Sequence, residues 1–151
     1  MRTILQRVTE ASVEIENEIV GSIANGLLIL LGITQEDGTG DIDWLVKKIT
    51  QLRIFNDAEG KMNLSISDAG GSILLVSQFT LYADSKKGNR PSYFRSAHPD
   101  LAIPKYEEFL QKLRENFSGK IATGRFGAMM KVNLVNDGPV TIILDSKNPS
   151  F

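Results

Sequence analysis

The sequence predicts an α+β fold in which a largely antiparallel sheet is covered by two helices. Three observations carry that expectation. Apolar and polar residues alternate over the start of the chain, an almost unbroken apolar run follows at residues 27–33, and two stretches, 41–54 and 100–117, place apolar residues at helical spacing. With 151 residues and no repeat, low-complexity run or linker, residues 1–151 fit one domain. A chain of that size removes roughly two thirds of its unfolded surface from water.

The elements follow in order. Ile4, Gln6 and Val8 alternate with Leu5, Arg7 and Thr9, then Val13 and Ile15 with Glu14 and Glu16, which is the period of half-buried strands. Asn17 marks a turn. Residues 19–23 and 27–33 continue as strands, separated by Asn25-Gly26, and the second is apolar on both faces, so it belongs in the middle of the sheet. In the first helix Ile42, Leu45, Val46, Ile49 and Leu52 share a face, and Asp41 and Asp43 suit its N-terminal dipole. A polar turn at 56–61 and a loop at 65–71 lead to an apolar strand at 73–81, followed by a basic, glycine-containing loop at 84–91. The second helix sets Tyr106, Phe109, Leu110, Leu113 and Phe117 opposite Lys105, Glu108, Lys112 and Glu115. Residues 129–135 and 140–145 read as two further strands around an Asp137-Gly138-Pro139 turn.

Composition narrows the chemistry. The absence of cysteine rules out disulfides, a thiol nucleophile and thiolate metal sites, and suits a reducing compartment, with the cytoplasm as the default. The first residues lack the apolar core of a leader, and no run approaches the roughly eighteen apolar residues that span a bilayer, so a soluble, untargeted protein without a membrane partner is expected. A net charge of -1 and a pI near 5.8 provide no global positive field, so any nucleic-acid contact must be local. The single histidine, His98, precedes a proline in a loop and leaves no two-histidine metal site. No metal and no cofactor are expected.

The strand at 73–81 ends in Ser77, Gln78 and Thr80, and a buried polar group without a partner costs on the order of 1–3 kcal/mol. These residues therefore suggest a site for a polar ligand, although water at a strand end would also satisfy them. Strand periodicity puts Gln78 and Thr80 on one face and Ser77 and Phe79 on the other. A threonine hydroxyl is a weak nucleophile without a base, and none is near Thr80 in sequence, so hydrogen bonds and backbone amides are the expected working parts. At Gly138-Pro139, proline removes a ladder donor and belongs on an edge or at a bulge; a cis bond there would make a rigid wall. Lys86, Lys87, Arg90 and Arg95 surround Gly88, Asn89 and Pro91, with Tyr93 and Phe94 interleaved. This segment reads equally as a solvated loop or a phosphate-contacting patch.

Taken together, Leu5-Gln6-Arg7-Val8, Ser77-Gln78-Phe79-Thr80-Leu81, Gly88-Asn89-Arg90-Pro91-Ser92, and Thr123-Gly124-Arg125-Phe126-Gly127-Ala128 leading to Asn136-Asp137-Gly138-Pro139-Val140-Thr141 resemble the D-aminoacyl-tRNA deacylases over nearly the whole chain. The resemblance implies a barrel-like sheet and a homodimer with active sites at the subunit interface. It further implies hydrolysis of the ester joining a D-amino acid to the acceptor end of tRNA, with glycine mischarged on tRNA-Ala also removed. Ser77, Gln78, Phe79 and Thr80 would contact the terminal adenosine and the ester, and Met130 would also bind substrate. Gly138 and Pro139, with a cis peptide, would enter the partner's site and reject L-amino acids, held by Arg7; a related achiral group carries a different residue there. The terminal 2'-hydroxyl would assist hydrolysis in place of a Thr80 nucleophile. Competing expectations are a non-catalytic RNA-binding module using the basic loop with Tyr93 and Phe94, and a general esterase using Thr80.

Overall fold

The computed structural model describes residues 1–150. In chain order these form β1 (Arg2–Ile15), β2 (Glu18–Ile23), β3 (Gly26–Gly32), α1 (Thr39–Gln51), β4 (Phe55–Asn56), β5 (Met62–Leu64), β6 (Ser72–Ser77), a 3-10 turn (Phe79–Tyr82), α2 (Pro99–Asn116), β7 (Ile121–Thr123) and β8 (Lys131–Asp145). The main sheet runs β2-β1-β3-β6-β7, with β8 on the other edge of β1. β1 is long enough to pair with β3 through Arg2 to Val8 and with β2 through Ala11 to Ile15.

The sheet is mixed: β1 pairs antiparallel with β2, β3 and β8, as expected, whereas β3 with β6 and β6 with β7 are parallel pairs. Each of these pairs is joined across a long connection that contains a helix, as parallel pairing requires. The sheet also curls until its ends meet. A Cβ on Gly21 of β2 would lie 2.6 Å from the Thr123 carbonyl of β7, a contact that only glycine permits. Two apolar cores result. Leu27, Ile29, Leu31, Ile73 and Leu75 pack under Ile42, Leu45, Ile49, Phe109 and Leu113 of the helices. Leu28, Leu74 and Val76 meet Val8, Ala11 and Val13 inside the curl. This double burial explains why β3 reads as apolar on both faces. No helix among the described residues is long and apolar enough to cross a membrane.

Three expectations about elements are corrected. The strand expected at 73–81 stops at Ser77, because its partner β3 ends at Gly32; the Gln78 N–H donates to the Leu31 carbonyl at 2.8 Å, and the chain then closes into the 3-10 turn. The strands expected at 129–135 and 140–145 are one strand, and Asp137-Gly138 makes no hairpin. Both halves pair with β1, through Val135 opposite Glu10, Asn136 opposite Val8 and Thr141 opposite Gln6. Residues 137–140 are therefore extruded as a bulge, with Gly138-Pro139 cis. The α1 helix also ends earlier than expected, at Gln51.

Candidate active site

The carboxyl ends of the parallel strands β3 and β6 open onto a cavity of about 730 Å³, the usual place for a ligand on a sheet with crossover helices. Ser77, Gln78, Phe79 and Thr80 form one wall, and Phe126 to Met130 form another. Residues 96–99 make part of the rim. Ser77, Gln78, Phe79 and Thr80, expected to contact the adenosine and the ester at the catalytic site, thus gather with Met130 at one cavity. Arg7, Gly138 and Pro139 do not line it.

The 3-10 turn sets the wall's chemistry. Strand alternation no longer applies there, yet the Gln78 side-chain amide still donates to the Thr80 hydroxyl, reaching across the turn. That amide donor cannot take a proton from Thr80. His98 stands at the rim, with its ring 77% exposed and Nδ1 3.0 Å from Asp100. Among the described residues its ring hydrogen-bonds to Asp100, and the Thr80 hydroxyl hydrogen-bonds to Gln78 and not to His98. Phe79 is held at its carbonyl by the Ser96 hydroxyl at 2.8 Å, and its ring meets Tyr93 edge-on at 5.1 Å. Among the described residues no group of three or more His, Asp or Glu is arranged to hold a metal.

Behind the turn lies a brace that the sequence did not reveal. Arg2 Nη1 donates to the Leu81 carbonyl at 2.8 Å, while Nε and Nη2 donate to Asp145 Oδ2 at 3.0 and 2.7 Å. The guanidinium also sits 5.0 Å from the centre of the Tyr82 ring. Burial pushes the Asp145 carboxyl up, but hydrogen bonds from Arg2 and the Lys147 N–H outweigh it, and the group is held below its ordinary value. Burial, with Asp37 and Asp145 nearby, raises the Tyr82 phenol. No local pattern marks Arg2, since its partners lie about 80 and 140 residues away in sequence.

The bulge on β8 is tied from below. Arg7 is 6% exposed; its Nη1 donates to the Ile54 carbonyl at 2.6 Å and to Asn56 Oδ1 at 3.3 Å. Its Nε lies 2.9 Å from Asp137 Oδ2, an ion pair and not an aligned hydrogen bond. The Asn136 amide donates to the carbonyls of Arg7 and Val140 at 2.9 and 3.1 Å, closing the base of the bulge. Gly138 and Pro139 themselves are exposed. Lys86, Lys87, Arg90 and Arg95 are also exposed, and none pairs with an acid among the described residues.

The profile of a family described as D-Tyr-tRNA(Tyr) deacylase matches residues 4–145. The chain belongs to this family. A D-aminoacyl-tRNA deacylase of Flavobacterium johnsoniae is 57% identical over 148 residues, covering 98% of this chain and 99% of the relative. One of Bacteroides thetaiotaomicron is 56% identical with the same coverage. A solved structure titled c-Myc DNA Unwinding Element Binding Protein superposes with a TM-score of 0.92 at 41% identity, covering 96% of this chain and 98% of that one. A probable eukaryotic D-amino acid tRNA deacylase shares the fold at a TM-score of 0.80 and 17% identity, covering 95% and 97%. Membership makes the protein a hydrolase of ester bonds with aminoacyl-tRNA as substrate. In this deacylase, Arg2→Ala removes a charged hydrogen bond from the turn that carries Phe79 and Thr80. Such bonds contribute about 1.5–3 kcal/mol, so a fall of at least about tenfold in deacylation is expected, checked by steady-state rates.

Proposed function

We propose that this deacylase removes D-amino acids from tRNA in a pocket completed by a second copy of the chain. Gly138 and Pro139 of one copy enter the pocket of the other and exclude the side chain of an L-amino acid. One observation carries the reading: the bulge that presents Gly138 and Pro139 is tied at its base by Arg7 and Asn136, yet both residues stand exposed and outside the cavity of their own chain. Among the described residues β8 pairs only with β1, which leaves its other edge open over a 15-residue strand, and Met129, Val135 and Ile143 are exposed along or beside it. An open edge of that length is a template for a partner strand, which supports a homodimer.

Within the pocket, Ser77 to Thr80 hold the terminal adenosine and the ester, and Met130 forms part of the opposite wall. The N–H groups of Phe79 and Thr80 open the 3-10 turn, where the turn itself provides no acceptor, and so serve as donors to the ester carbonyl. Water adds at that carbonyl, the bond to the ribose oxygen breaks, and the terminal 2'-hydroxyl assists. Thr80, whose hydroxyl is hydrogen-bonded to the Gln78 amide and to no base among the described residues, positions substrate. Exclusion by shape cannot reject glycine, so glycyl-tRNA mischarged on tRNA-Ala is also a substrate. Lys86, Lys87, Arg90 and Arg95 contact the phosphates of the acceptor arm in a salt-dependent manner. The tRNA substrate makes the cytoplasm the site of action.

The test is release of tyrosine from D-Tyr-tRNA and L-Tyr-tRNA. Release from the D form alone is expected; release from neither, or equally from both, defeats the proposal. Thr80→Ala is expected to keep most of the rate, and a 2'-deoxy terminal adenosine to lose it. The opposite pair of results would make Thr80 the nucleophile.

A further inference from the structure

Phe94 is the most exposed aromatic ring among the described residues at 85%, yet its backbone is tied down on both sides. The Phe94 N–H donates to the Ser92 hydroxyl at 3.5 Å, and the Ser96 N–H to the Tyr93 carbonyl at 2.9 Å. The Thr34 hydroxyl donates to the Arg95 carbonyl at 2.6 Å, and the Ala97 N–H to the Ile33 carbonyl at 2.9 Å. The ring is thus presented to solvent by an anchored turn and does not hang on a loose loop. The turn adjoins the pocket: Tyr93 and Ser96 both line it, and Tyr93 packs edge-on against Phe79. On the same segment stand Lys86, Lys87, Arg90 and Arg95, with no acidic partner among the described residues.

A flat ring held out beside unpaired cations suits single-stranded nucleic acid, whose bases stack on aromatic faces while the backbone follows positive charge. A duplex would use the cations alone, because its bases are already stacked. An apolar protein surface would use the ring and leave the cations without a role. We infer that Phe94 is a stacking platform for an unpaired base next to the terminal adenosine, in the single-stranded stretch between the acceptor duplex and the pocket. The inference rests on the proposal that the terminal adenosine occupies the pocket.

The experiment compares wild type, Phe94→Ala and Phe94→Tyr on D-Tyr-tRNA and on D-tyrosyl-adenosine, which lacks the neighbouring nucleotides. Base stacking on an aromatic residue predicts a loss of roughly fivefold or more in kcat/KM for Phe94→Ala on D-Tyr-tRNA, expressed in KM. No change is expected on D-tyrosyl-adenosine, and Phe94→Tyr should recover the loss. The loss should persist at raised salt, where that of Lys86→Ala with Lys87→Ala shrinks. As a second measurement, Phe94→Ala should weaken binding of uncharged tRNA but not of tRNA trimmed of its single-stranded end. An unchanged rate on D-Tyr-tRNA, an equal loss on both substrates, equal weakening with trimmed tRNA, or a shift in oligomeric state would each overturn the stacking role. A wild-type protein that hydrolyses neither substrate would instead defeat the proposed pocket, and the platform with it.

Discussion

Gly138→Ala is expected to lower deacylation of D-Tyr-tRNA by at least about tenfold while leaving the melting temperature nearly unchanged. Gly138 has φ +118, a conformation side chains rarely adopt. A Cβ there would lie 2.7 Å from Val140 Cγ2, 3.0 Å from the Val140 nitrogen and 3.1 Å from Arg7 Nη2. Strain of this kind costs of order 1–3 kcal/mol, and the bulge can relieve it only by moving Gly138-Pro139. Because the bulge is exposed, the movement displaces the motif and spares both cores. Activity within about twofold of wild type would show that the bulge takes no part in the reaction. The same variant tests the shared pocket. Gly138→Ala retains an intact cavity and Phe79→Ala an intact motif, so dimers formed by mixing them contain one complete site. Activity should reappear in the mixture, and its absence after verified subunit exchange would sink the cross-subunit arrangement.

Arg7→Ala is expected to damage both stability and selectivity. It strips a charged donor from the Ile54 carbonyl and Asn56 Oδ1, and leaves Asp137 without its ion pair. Loss of charged hydrogen bonds at a buried guanidinium costs on the order of 2–4 kcal/mol, which for a chain of this size lowers the melting temperature by roughly 5–15 °C. The bulge loses its support at the same time, so the ratio of D-Tyr-tRNA to L-Tyr-tRNA hydrolysis should fall. Arg7→Lys should rescue neither property, because one ammonium cannot serve three partners spread around a planar guanidinium. Thermal unfolding and the D-to-L rate ratio check the two effects separately. A variant with normal melting and a normal ratio would contradict both.

Residues that depend on their near neighbours were legible in the sequence. The helices at 39–51 and 99–116 follow from apolar spacing, and the turn at Asn17 from a residue that tolerates φ +66. The polar run at the end of β6 is unusual for a core strand, and Ser77 to Thr80 do line the cavity. Their geometry does not follow strand alternation, because the strand ends at Ser77 and a 3-10 turn takes over. Whether it continues depends on the length of β3, a neighbour more than 40 residues earlier.

The β8 bulge makes the same point more strongly. Asp137-Gly138 carries a sound hairpin signal, and both flanks alternate as separate strands would. The outcome was decided by β1, whose length lets it pair with the chain on each side of the bulge, so that residues 137–140 are pushed out while the strand continues. Arg2, bridging Leu81 and Asp145, and Arg7, joining Ile54 to Asp137, likewise owe their roles to contacts across most of the chain. Element type and the location of unusual polar residues are properties of short segments, because backbone preference and apolar periodicity act within a few residues. The mixed sheet, the end of β6, the bulge and the arginine braces arise from pairing between distant segments, and their energies exist only once the chain has folded around β1.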